Sequence, residues 1–307
     1  MMRRIFADGL LGLFFMSVVL SFNCGREQKK SKALTPFANA EMEWRKERDV
    51  KMKAPTSWLT IAGLLWLGEG ENGFGSAPQN KIKLPEGSAP EFIGKFILNN
   101  NKVTVEANEN SGLTCSGKSV KKMTLKSDMD GGADILAIND LRMWVIKRGD
   151  RFAIRLRDLN AAAYKNYKGL NFFPPNERFR LKGEFVHYIP AKMIEVGTEI
   201  GTTVKMASPG YVKFAIDGKE YQLDAFDSQP GELSFIFRDG TSGIETYGAS
   251  RFMEAKFLAD STVDLNFNRA YNPPCAYTPF ATCPLPPPEN NLTVKIEAGE
   301  KKYGEGH

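Results

Sequence analysis

Histidine is nearly absent from this sequence: His187 and the terminal His307 are the only two. That scarcity excludes a His-rich metal centre, and any Ser-His-Asp or Cys-His device would have to use His187. His187 lies in the apolar segment Phe185-Val186-His187-Tyr188-Ile189, where a structural role is the expectation. Cysteine is scarce too, with four in 307 residues and none close to a histidine, so no zinc site is expected. Excess charge is small, +5 overall, and no Lys/Arg cluster is interleaved with aromatics, which argues against a nucleic-acid partner. Long apolar runs are missing as well. Leu10 to Phe22 and Ser57 to Leu67 are both shorter than the roughly 17–25 residues a membrane-spanning helix needs. No internal repeat is visible, and the residues imply no metal and no cofactor.

What is present begins with an address. Arg3 and Arg4, the apolar run to Phe22, and Cys24 form the three parts of an export signal. A cysteine directly after the apolar core, followed by the polar, Lys-rich stretch Gly25 to Lys32, resembles the lipid-modified cysteine of a bacterial lipoprotein with a relaxed lipobox, since Asn23 and Phe22 replace the usual small residues. The expectation is a signal peptide at 1–23, a lipid-attached tether at 24–37 and a single β-rich domain at 38–303, with two β subdomains meeting near residue 195 as the alternative. The membrane is then a partner through lipid on Cys24, and the location is the cell envelope, with plain secretion as the alternative. Export permits disulfides. Cys275 and Cys283, with seven residues between them in a loop region holding seven of the chain's 17 prolines (Pro273 to Pro288), are expected to pair, leaving Cys115 single.

The pattern of the remainder is mainly β. Ala38 to Lys53 lacks Gly and Pro and reads as a helix packed by a narrow stripe of Met42, Trp44 and Val50, stopped by Pro55. Leu141 to Arg157 is the clearest hairpin: Leu141/Met143/Val145 alternate, Lys147-Arg148-Gly149-Asp150 turns, and Phe152/Ile154/Leu156 alternate again. Similar alternation recurs at Val103/Val105, Val212/Phe214/Ile216, Leu233/Phe235/Phe237, Val263/Leu265/Phe267 and Leu292/Val294/Ile296. Many short strands with Gly- and Asp-rich turns and one helix predict an antiparallel β-sandwich or barrel-like body with a Pro-rich C-terminal loop.

Several motifs invite stronger readings. Gly112 to Ser119 fits the pattern G-x-x-x-x-G-K-S, but a phosphate loop needs a helix to begin at its end, and Val120 to Leu125 reads as a strand. A β-turn is expected there, and no nucleotide. Arg148-Gly149-Asp150 is what a hairpin turn requires. Asp128, Asp130 and Asp134 lack the bidentate Glu of a calcium loop. Two constellations remain. Asp264, Asn266 and Asn268 alternate on one strand face and lead into Arg269, Tyr271 and Asn272; Asp239, Thr241 and Glu245 mark a polar loop that leads to Arg251. A carboxylate, amides and arginines on a rigid frame bind a polar ligand or orient a substrate. The alternative use of such residues is to pin a long loop.

Ser57 to Leu64 (SWLTIAGL), Glu69 to Ser76 (EGENGFGS), Phe237 to Phe252 (FRDGTSGIETYGASRF), Leu265 to Cys275 (LNFNRAYNPPC), Thr282 to Pro286 and Ala298 to Lys301 resemble the family of domain of unknown function 1684, over about Glu43 to Lys301. The resemblance implies no activity, cofactor or catalytic residue. The functional expectation is therefore an envelope protein that binds a polar small molecule, a glycan or a protein partner. The alternatives are a hydrolase using Asp264 or Asp239 with Arg251 and Arg269 as anion clamps, and a purely structural module. Convergence of these residues in a concave pocket favours the first two; local pairing favours the third.

Overall fold

A computed structural model describes residues 34–304. The signal peptide, Cys24 and all but the end of the tether lie outside the described residues. Among these, no helix is long and apolar enough to cross a membrane.

The chain enters through helix α1 (Pro36–Met52). Thr35 caps it by accepting the Ala38 amide at 3.1 Å, and Pro36 occupies the first turn, where its missing N–H costs nothing. The helix is where the sequence places it, but its packing face is not the expected one. Met42 and Val50 are exposed, whereas Glu41 and Met52 are buried. Burial follows Glu41, Arg45, Arg48 and Met52, one helical face made largely of charge. The apolar stripe fails because α1 docks through ion pairs and cation–ring contacts instead.

The first β body is a sandwich. Its strands are β1 (Ile61–Trp66), β2 (Gly70–Gly75), β3 (Ile82–Lys83), β4 (Gly94–Asn99), β5 (Lys102–Ala107), β6 (Thr114–Cys115), β7 (Lys118–Ser119), β8 (Lys122–Leu125), β9 (Leu136–Ile138), β10 (Leu141–Arg148) and β11 (Arg151–Asp158). One sheet runs β1-β11-β10-β9-β6-β7 and the other β3-β2-β4-β5-β8. All pairings are antiparallel except β2–β3. Inward residues of both sheets, among them Phe74, Phe96, Val105, Leu136, Met143 and Ile154, form one core. The β10–β11 hairpin forms where expected, with a tighter turn than Lys147 to Asp150: Arg148 lies opposite Arg151, with Gly149 at φ +59°. Gly112 to Ser119 contains a two-residue hairpin: Cys115 faces Lys118 across Ser116 (φ +49°) and Gly117 (φ +76°), and a strand follows. Amides in that geometry serve a β-turn and form no phosphate cradle. The carboxylates of Asp128, Asp130 and Asp134 accept backbone amides of Lys147, Ser127 and Lys126.

The second body is a nearly closed barrel of β12 (Arg180–Gly197), β13 (Thr203–Ile216), β14 (Lys219–Asp227), β15 (Glu232–Phe237), β16 (Arg251–Lys256) and β17 (Thr262–Asn266). The order is β16-β15-β14-β13-β12-β17, and a Phe257–Val263 bridge ties the last strand back toward the first. Its separate core includes Val212, Leu223, Phe235, Phe237, Met253, Leu265 and Phe267. The rings of Phe237 and Phe267 meet edge to face at 5.5 Å. Sandwich and barrel therefore both occur. Leu156 is the last residue of the first core and Phe179 the first of the second; residue 195 lies inside β12.

The proline-rich segment joins the two bodies. Thr278 Oγ1 donates to the Ile61 carbonyl at 3.1 Å, and Arg148 Nε donates to Thr282 Oγ1 at 3.0 Å, both on the sandwich. On the barrel side the Leu285 amide donates to Gly197 at 2.8 Å. Proline rings fix the path of this clamp at little entropic cost. The expected disulfide is not formed: Cys275 and Cys283 are free, buried thiols. The Pro274–Ala276 turn aims the Cys275 amide at Cys283 Sγ, 3.2 Å away, so the sulfur acts as an acceptor within the clamp. Cys115 is also free and half-buried.

Candidate functional site

The residues singled out from the sequence fall into three places. Asp239, Thr241 and Arg251 form a sealed cluster, with 0 % and 1 % side-chain exposure for the Asp239–Arg251 ion pair. Arg251 donates to Asp239 and to the carbonyls of Ile296 and Ala298. Asp239 Oδ1 also accepts the amide and the hydroxyl of Thr241, each at 2.6 Å. Burial pulls the Arg251 guanidinium below its ordinary pKa, and Asp239 opposes the shift. Glu245 lies on the same loop; its carbonyl accepts the Lys302 amide at 3.0 Å. This cluster fastens the 292–302 segment to the barrel and leaves no room for a substrate.

Asp264, Asn266, Asn268 and Arg269 occupy the second place, around the docking site of α1. Asp264 binds Arg180 through both oxygens, at 3.0 and 2.8 Å. Asn266 Nδ2 and Arg269 Nε donate to the buried Glu41 carboxylate, at 2.9 and 3.0 Å. The strand stops at Asn266, and the 3₁₀ turn Phe267–Arg269 takes Asn268 off the expected face. There its amide exchanges two hydrogen bonds with the Asn176 backbone, at 2.8 and 2.9 Å.

Tyr271 and Asn272 line a cavity. It has a volume of about 450 Å³ and opens between α1 and the barrel. Trp44, Glu47, Arg48 and Lys51 supply one wall; their i, i+3, i+4, i+7 spacing places them on one helix face. Trp58, from the turn before β1, supplies a second wall, and Phe252 and Glu254 of β16, with Tyr271, Asn272 and Pro274, a third. A larger cavity of about 620 Å³ lies along the 76–91 loop, lined by Ser, Ala, Pro and Gly with Lys83, Glu86 and Glu91, and has no aromatic surface to hold a ligand.

Arg48 is the organising group. Its Nε donates at 2.7 Å to Glu300, whose side chain is fully buried, and its guanidinium lies 4.5 Å from the Tyr271 ring centroid. Glu300 also accepts the Asn272 amide and the Tyr277 hydroxyl, each at 2.8 Å. Burial disfavours the Arg48 charge, but Glu300 and Tyr277 outweigh it, and the pKa rises. Among the described residues Arg48 Nη1 has no hydrogen-bond partner, and the side chain keeps 18 % exposure. Tyr271 donates to Glu254, and burial together with that carboxylate pushes the phenol pKa up. The buried Oδ1 of Asn272 accepts nothing. The result is a preorganised wall of aromatic surface with spaced donors and acceptors, a form that holds small polar ligands. No group of three or more His, Cys, Asp or Glu residues among the described residues is arranged to hold a metal.

Sequence reading missed Trp44, Glu47, Arg48, Lys51 and Trp58. The available signal was a tryptophan and three charges at helical spacing on α1, which looks like a solvated face until a partner surface is known.

Residues 165–301 match a family model described as protein of unknown function (DUF1684). That span includes β16 and the 271–274 wall. Among solved structures, an uncharacterized protein of Haloarcula marismortui, determined by solution NMR, is 31% identical, covering 45% of this chain and 78% of its own, with a TM-score of 0.38. A chain from a study of phosphothreonine-dependent FHA domain interactions is 18% identical over 30% of this chain and 79% of its own, with a TM-score of 0.22. No curated protein matches. The family-model match places residues 165–301 of the chain in the DUF1684 family.

Proposed function

We propose that this protein is an exported, lipid-anchored component of the cell envelope that binds a polar small molecule in the cavity between α1 and the barrel. The observation that carries the binding reading is Arg48. A guanidinium fixed by Glu300 and Tyr271, with one nitrogen free at a cavity wall, is oriented before any ligand arrives, which lowers the entropic cost of binding. Asp239 and Arg251 support a structural role instead, because they pair with each other and are sealed from solvent.

The test is the set of small molecules released on denaturing the purified protein, identified by mass spectrometry. Wild type is expected to release a polar compound that the Trp58→Ala protein does not retain. Identical release profiles from the two proteins would count against the cavity. The anchor rests on Cys24. Palmitate labelling is expected for the wild type and lost in Cys24→Ala; label persisting in the variant would refute lipidation at that residue.

A further inference from the structure

The lining of the cavity also constrains the charge of its occupant. We infer that the ligand is an uncharged sugar ring, a neutral monosaccharide or the neutral end of a glycan; this rests on the binding reading above. The walls carry two cations, Arg48 and Lys51, and two carboxylates, Glu47 and Glu254. Arg48 is already offset by the buried Glu300 at 2.7 Å. An anion would therefore depend on Lys51 while facing Glu47 and Glu254.

A cation meets a different obstacle. Three of the four rings around the cavity already carry a guanidinium: Arg48 at 4.5 Å from Tyr271, Arg155 at 5.5 Å from Trp58, and Arg269 at 6.0 Å from Trp44. Arg155 is 3 % exposed and makes no hydrogen bond or ion pair among the described residues, so its charge is not neutralised at close range. A ligand cation on these rings would bring like charges together and lose the usual ring attraction. A neutral ligand avoids both conflicts. A sugar hydroxyl both donates and accepts, which suits the free Nη1 of Arg48 as donor and the Glu47 and Glu254 carboxylates as acceptors. The apolar C–H face of the ring then lies on aromatic surface. A volume of about 450 Å³ falls within the range of roughly 300–1,000 Å³ for small-molecule sites and suits one sugar ring better than a long chain.

The experiment titrates the full-length protein in detergent with gluco-, galacto- and manno-configured sugars in three forms: neutral hexose or N-acetylhexosamine, uronate, and hexosamine. Saturation-transfer NMR and tryptophan fluorescence report binding. At least one neutral sugar is expected to bind about tenfold or more tightly than its uronate and its hexosamine counterparts. Trp58→Ala, a change at a partly exposed residue, is expected to weaken the neutral sugar by about tenfold. Glu47→Gln, also on the surface, is expected to narrow the gap to the uronate. A charged form that binds as tightly as its neutral counterpart would overturn the charge inference and leave the cavity reading standing. Absence of saturable binding by every sugar would overturn the sugar class, while the released-molecule measurement judges the cavity separately.

Discussion

Replacing Arg251 by methionine is expected to destabilise the protein by about 3–5 kcal/mol, because removing one partner leaves the other charge buried and uncompensated. Asp239 has a side-chain exposure of 0 %, so water cannot take over from the lost guanidinium. The Ile296 and Ala298 carbonyls also lose their donor, which releases the 292–302 segment from the barrel. Urea denaturation followed by tryptophan fluorescence measures the loss as a lower midpoint at unchanged slope. The double variant Asp239→Leu/Arg251→Met is expected to be more stable than Arg251→Met alone, since it removes the stranded carboxylate. A single variant within about 0.5 kcal/mol of wild type would show that the pair does not hold this segment.

Glu300→Ala is expected to have a comparable cost, about 3–5 kcal/mol, with a different distribution over the fold. Glu300 receives Arg48 Nε, the Asn272 amide and the Tyr277 hydroxyl, so its loss leaves three buried donors without an acceptor. Two of these, Arg48 and Asn272, line the cavity. Helices in proteins draw most of their stability from tertiary packing, and α1 docks largely by charge, so it should loosen first. Hydrogen exchange is expected to show lost protection across Pro36–Met52 while β13 and β14 remain protected. Equal loss in helix and barrel would mean that Glu300 supports the whole fold and not the docked helix.

The contrast between these two clusters explains what could be read from the sequence. Alternation at Leu141 to Leu156 revealed its hairpin because both strands obey a local period of two and their turn is two residues long. Gly112 to Ser119 could be recognised as a turn by the strand that follows it. The helical span of α1 was legible from its composition, but its packing was not. Arg48 and Glu300 are 252 positions apart, and Asn266 and Glu41 are 225 apart. Each alone looks like a solvated polar residue, and only the fold shows that they pair with one another. The polar residues before the prolines misled for the same reason. Asn266, Asn268 and Arg269 are rich in hydrogen-bonding capacity, and they direct it to holding α1 and the Asn176 turn. Tyr271 and Asn272, where the chain leaves that structure for the proline clamp, are the candidates that line the cavity.

The role of the cavity is tested most directly by a crystallographic fragment screen of the domain, with small polar compounds soaked into one crystal form. Ordered density for a non-water molecule is expected between Trp58 and α1, with a polar atom within hydrogen-bond distance of Arg48 Nη1. A screen in which that cavity holds only water, while fragments bind elsewhere on the protein, would contradict the assignment.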